Sequence, residues 1–114
     1  MKILLDESLP LKLRFDFPSV YQVFTVRDMG WLGVKNGELL RRIAAAQFDL
    51  FITVDRQLPN QQNLSVFSFR VLIIVAYDNR LQTLRLLMPL VLHKLQQPPA
   101  EVLWIVRQND LRAL

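Results

Sequence analysis

Four carboxylates occur where an α/β chain would carry them to one place. Asp6 and Asp55 each end a compact apolar run, Ile3-Leu4-Leu5 and Leu50-Phe51-Ile52-Thr53-Val54, and Asp78 follows the run that begins at Val71. Glu38 opens a stretch of helical periodicity just after Asn36. Each acid taken singly has a simpler use, since a carboxylate near a helix N-terminus gains about 0.3 to 1 kcal/mol from the helix dipole. Three or four meeting together repel one another, which raises their proton affinity unless a cation lies between them. Oxygen donors with no nearby histidine or cysteine select Mg²⁺ or Mn²⁺, which keep several waters and accept phosphate oxygens as further ligands. The chemistry implied is phosphodiester hydrolysis, in which one cation activates a water and a second stabilises the leaving oxygen. Lys35, Arg56 and Arg80 adjoin these acids and are the expected phosphate contacts.

For those acids to meet, the elements between them must run in register. Residues 3–5 read as a buried strand, and Pro10 suits the first turn of a helix over 9–15 that Pro18 stops. Residues 20–26 read as the second strand. Residues 27–35, with Gly30 and Gly33, form a loop that delivers the chain to Asn36 as a helix N-cap. The following helix, 37–48, places Leu39, Leu40, Ile43, Ala44 and Phe48 at helical spacing. A third strand at 50–54 is followed by a polar turn with a short helix at 56–65, which carries the chain across the sheet. A fourth strand spans 71–76, Asp78-Asn79 caps a helix over 80–96, Pro98-Pro99 closes that connection, and a fifth strand spans 102–106.

Strict alternation of strand and helix predicts a three-layer α/β/α fold with a mainly parallel sheet of about five strands, in one domain spanning 1–114. Ligands of such sheets bind beyond the carboxyl ends of the strands. Asp6, Asp55 and Asp78 belong to that edge and Glu38 enters beside it, whereas Asp49 and Glu101 precede strands and belong to the other edge. The motif Asp-x-x-Leu-Pro occurs twice, at Asp6-Glu7-Ser8-Leu9-Pro10 and Asp55-Arg56-Gln57-Leu58-Pro59, both times at the end of an apolar strand.

Composition narrows the classes. The chain has 114 residues, 52% of them hydrophobic, which suits a single core. With no cysteine, thiolate metal sites, disulfides and cysteine nucleophiles are excluded, and a cytoplasmic setting is expected. An acid arrives too early for a signal peptide, and no apolar run is long enough to span a bilayer, so no membrane association is expected. The 14 Lys and Arg against 10 Asp and Glu leave a net charge of +4, which favours a polyanionic partner.

Four stretches resemble a known group. They are Lys2-Ile3-Leu4-Leu5-Asp6-Glu7-Ser8-Leu9-Pro10, Thr25-Val26-Arg27-Asp28-Met29-Gly30-Trp31, Asn36-Gly37-Glu38-Leu39-Leu40 and the segment from Thr53-Val54-Asp55-Arg56 to Asn63-Leu64. In this order and spacing the chain resembles the PIN-like domains, in particular a compact family of small prokaryotic proteins related to VapC-type toxins. The resemblance implies a metal-dependent ribonuclease fold in which Asp6, Glu38 and Asp55 are the catalytic acids and bind Mg²⁺ or Mn²⁺. It also implies that Arg56, Asn79 and Arg80 lie near the site. Full-length PIN nucleases carry a further glutamate on a helical arm, and only residues 9–18 stand in its place here, so Glu7 or Asp78 would have to substitute.

Two functions follow from the resemblance: an endoribonuclease acting as the toxin of a toxin–antitoxin pair, or a non-catalytic module that binds RNA or protein. A phosphoryl-accepting receiver domain needs a lysine on a later strand, and 71–78 has none. His93, the only histidine, sits in a leucine-rich helix and is expected to be a structural or surface residue and not a general base. Trp31 and Trp104 are expected in core or interface more than on bases, Trp31 being the better placed to stack. The leucines of 80–96 occupy more of that helix than one sheet face requires, which predicts a homodimer, with an antitoxin-like protein as the other candidate partner.

Overall fold

The architecture comes from a computed structural model, which describes residues 1–97 and 101–113, without the side chains of 111–113. Five strands, β1 (Lys2–Leu5), β2 (Gln22–Thr25), β3 (Leu50–Thr53), β4 (Arg70–Val75) and β5 (Leu103–Arg107), form one sheet in the order β2-β1-β3-β4-β5. Every neighbouring pair is parallel, so the sheet is wholly and not merely mainly so. Three helices, α1 (Asn36–Ala45), α2 (Leu58–Gln61) and α3 (Leu81–Leu95), connect the later strands, with 3-10 turns at Leu11–Asp16, Leu64–Val66 and Gln108–Ala113.

The central strands are apolar along their whole length because both faces are covered, as in parallel sheets generally. Ile3, Leu5, Ile52, Leu72 and Ile74 pack on α3 through Leu84, Leu87, Met88 and Val91, together with Leu9 and Leu13. The alternate residues Leu4, Phe51, Val71 and Ile73 face the opposite way, onto Leu39, Leu40 and Ile43 of α1, Leu58 of α2, and Phe69. The three-layer arrangement expected from the alternation of elements is thus present.

Several local expectations change. The segment expected as a helix over 9–15 is a 3-10 helix displaced to Leu11–Asp16, with Pro10 in an extended conformation before it. Asn36 does not cap α1. Lys35 takes the cap position with extended backbone and no side-chain bond, and Asn36 becomes the first helical residue. The helix expected to reach Phe48 stops at Ala45, because Gln47 turns the chain with φ 61 into β3. The expected Pro98-Pro99 closure lies outside the described residues.

The leucine-rich helix buries most of its apolar face within the chain. Leu84, Leu87 and Leu95 are buried against the sheet and Leu81, Leu90 and Leu92 pack half-buried around them, leaving Leu86, 60% exposed, as its outward leucine. The 3-10 turn at Leu11–Asp16 also packs on this helix, which accounts for the breadth of its apolar face. No helix among the described residues is long and apolar enough to cross a membrane.

Strand order decides where a site can form. From β1 the chain moves outward to β2, then returns past β1 to β3 and continues to β4 and β5. The connections that leave β1 and β3 therefore diverge, opening a crevice at their carboxyl ends, which is where doubly wound sheets bind ligands.

Candidate functional site

Register brings the first two acids to that crevice. Leu5 pairs with Ile52, and the Asp6 backbone N–H continues the ladder to the Ile52 carbonyl at 2.9 Å. Asp6 is thereby set beside Thr53. Thr53 is buried, and its hydroxyl donates to Asp6 Oδ2 at 2.7 Å while accepting the backbone N–H of Asp55 at 3.1 Å. One hydroxyl at the strand end thus ties the carboxylate of Asp6 to the backbone that carries Asp55.

Each carboxylate is further fixed by its own turn. Asp6 accepts the Glu7 backbone N–H at 2.9 Å and the Ser8 hydroxyl at 3.0 Å. Asp55 Oδ1 accepts the Gln57 backbone N–H at 2.9 Å. These are the two copies of the Asp-x-x-Leu-Pro motif. In each, the acid orders the turn while Leu9 or Leu58 enters a core on one face of the sheet. Both acids are half-buried.

A contact that the sequence did not disclose comes from α1. The Asn36 side-chain amide donates to Asp55 Oδ2 at 3.3 Å. The amide is therefore directed across the crevice, which explains why Asn36 does not cap its own helix. The pattern Asn-Gly-Glu reads locally as a helix start, and only the approach of β3 reveals the other use.

Glu38 is placed differently from the two aspartates. Its carboxylate is gripped by the next turn of its own helix, with Arg41 at 2.9 Å and Arg42 at 3.2 Å. Arg41 first, and then Arg42, hold its carboxyl below the usual range. The group is exposed, so these pairs add little to stability. Among the described residues no three acids or histidines are grouped as a metal cluster. Asp6 and Asp55 come together, and Glu38 stays with its arginines.

The remaining candidates divide between support and surface. Glu7 accepts the Gly33 backbone N–H at 3.4 Å and so ties the loop before α1 to the β1 turn. Asp78 accepts the Arg80 backbone N–H at 3.0 Å, and that bond first, then one from the Thr83 side chain, holds its carboxyl below the usual range. The bond orders the turn before α3, whose cap position is taken by Arg80 with no side-chain bond, so Asp78 and Asn79 do not cap that helix as expected. Lys35, Asn79 and Arg80 are exposed at the carboxyl edge, and Arg56 walls a groove beside it. Trp31 sits edge-on to Phe48 and packs with the α1 core, and Trp104 is buried. His93 is exposed beside Gln97.

The chain matches no known family, no characterised protein and no solved structure.

Proposed function

We propose that this protein hydrolyses RNA phosphodiester bonds with the help of Mg²⁺ or Mn²⁺, and that Asp6 and Asp55 are the acids that hold the cation. The observation that carries the reading is the Thr53 hydroxyl, bonded at once to the Asp6 carboxylate and the Asp55 backbone at the switch point of the sheet. The donors there, two carboxylates with an amide and a hydroxyl, are all hard oxygen and nitrogen groups. They suit an ion that takes only one or two protein carboxylates and fills its shell with water and phosphate. Bound there, the cation would supply positive charge to a phosphoryl group.

The chain's own residues do the positioning. Thr53 and Ser8 hold the Asp6 carboxylate, and Asn36 and the Gln57 N–H hold that of Asp55, so neither acid must reorganise greatly to face a ligand. Lys35, Arg56, Asn79 and Arg80 stand at the same edge to meet flanking phosphates. Glu38 joins the two aspartates only by leaving Arg41 and Arg42. In the toxin-like reading the protein is restrained by an antitoxin, and the exposed Leu86 of α3 is the contact for a second copy.

A second reading, a non-catalytic module that binds RNA or protein, is favoured by one observation: the engagement of Glu38 with its own helix. Thermal melting with and without Mn²⁺ separates the two. A cation at 100 times its dissociation constant adds about 2.7 kcal/mol, which for a chain of this length raises Tm by about 10 °C. Asp6→Asn and Asp55→Asn should abolish that rise and any cleavage of single-stranded RNA. Glu38→Gln abolishes it as well if the glutamate swings in, and preserves most of it if two carboxylates suffice. The same Tm in chelator and in millimolar Mn²⁺ would overturn the cation site and the hydrolase with it.

A further inference from the structure

Beside the acids lies a groove that they do not use. Where β4 and β5 end, Ile73 is in register with Ile105, and Val75 with Arg107. These four residues share the sheet face on which α2 lies, and α2 has only four residues, too few to cover it. The uncovered end is a hollow of about 220 Å³ floored by Ile73, Val75 and Ile105 and walled by Arg56, Pro59 and Arg107. A second hollow of about 230 Å³ continues over the strand ends past Tyr77, sharing Arg56, Val75 and Arg107.

Charge and shape point to one kind of occupant. Four arginines of the chain, Arg14, Arg41, Arg42 and Arg85, are engaged with acids; Arg56 and Arg107 form no ion pair among the described residues. These two guanidinium groups, paired with no acid among the described residues, flank an aliphatic floor, and Tyr77 stands at the rim 85% exposed. The first hollow has room for about seven waters, which is the scale of a planar ring and larger than a lone phosphate requires. Arg56 directly follows Asp55, so one wall of the groove is carried by the residue next to an acid of the site.

We propose that this groove binds one nucleotide of a single-stranded RNA, with its base on the floor of Ile73, Val75 and Ile105 and its phosphate between Arg56 and Arg107. The proposal rests on the RNA reading above and extends it to Arg107, which lies far from the acids in sequence. Aliphatic and aromatic contact with a base tolerates any sequence, while guanidinium groups track the backbone.

The test is binding of a short labelled oligoribonucleotide, followed by fluorescence anisotropy in chelator, so that neither metal nor cleavage enters. One phosphate contact on a single strand carries a salt-dependent factor of about eightfold at about 50 mM salt. Arg107→Gln should weaken binding by about that factor and flatten the log–log salt slope by about 0.7. Arg107→Lys should retain most of the slope. An oligoribonucleotide abasic at every position, which keeps its phosphates but offers no base to the floor in any register, should bind more weakly than the intact strand. Lys94→Gln, the same charge lost from the last turn of α3, should change neither affinity nor slope. Wild-type-like binding by Arg107→Gln, an equal loss from Lys94→Gln, or no RNA binding by the unmodified protein each overturns the groove. The cation site stands or falls separately on the Mn²⁺ melting shift, which this assay does not use.

Discussion

Replacing Thr53 by valine tests whether the two aspartates are held by a shared hydroxyl or by the backbone alone. Valine has nearly the same shape and suits a buried strand, so packing at this 1% exposed position is conserved. What is lost is the bond to Asp6 Oδ2 at 2.7 Å and the acceptor for the Asp55 N–H at 3.1 Å. A bond to a charged group contributes about 1.5 to 3 kcal/mol and a neutral one about 0.5 to 1.5. Asp6 keeps its bonds from Glu7 and Ser8 and is half-exposed, which places the first figure at its lower end. The expected loss is therefore about 2 to 3 kcal/mol. Urea denaturation reads it as a lower midpoint at unchanged m. The Mn²⁺-dependent rise in melting temperature should shrink in the same variant, because the two acids lose their common support. Thr53→Ser keeps the hydroxyl and should recover the Mn²⁺ response at the cost of about one buried methyl, roughly 1 kcal/mol. A Thr53→Val protein within about 0.5 kcal/mol of wild type, the range of an unremarkable substitution, with its metal response intact, would refute the reasoning.

Asn36→Asp sets a third carboxylate beside Asp55 Oδ2 in place of a donor 3.3 Å away; it should lower stability in chelator by about 1 kcal/mol and enlarge the Mn²⁺ shift, both read by melting. Asp28→Ala tests the turn after β2. Asp28 accepts the Thr25 backbone N–H at 2.9 Å, its own N–H bonds the Thr25 hydroxyl, and Arg14 lies 3.1 Å away. The Thr25 N–H is the largest cause that holds the Asp28 carboxyl below the ordinary carboxylate range. A depressed folded-state pKa gives stability that is present above the unfolded value and is lost as pH falls through the folded one. The variant should thus lose about 1 kcal/mol at neutral pH, and the gap from wild type should close below about pH 4 in urea titrations.

Much of the fold is legible in the sequence because its cause is local. Apolar runs such as Val71-Leu72-Ile73-Ile74 can be stable only where both faces are covered, and their alternation with periodic segments already implies parallel crossovers. The Asp-x-x-Leu-Pro echo marks its two turns for the same reason, since carboxylate, leucine and proline each act within a few residues. The 3-10 form of Leu11–Asp16 was not legible. Its residues suit either helix, and the packing of Leu13 against the sheet and α3 settles which one forms.

By itself the sequence determined the kinds of groups available: acids at strand ends, no thiolate, and cations beside them. Tertiary structure decided which groups meet. Glu38 looks equivalent to Asp55 along the chain, yet Arg41 and Arg42 lie on the next turn and claim it, because residues three and four apart on a helix are neighbours. Asn36 looks like a cap, yet the position of β3 turns it to Asp55. Arg107 carries no local signal at all. It becomes a groove wall only because β5 pairs with β4 in the register that sets it against Val75, and that register is fixed by burying Trp104 and Val106 on one face and leaving the alternate residues to the other.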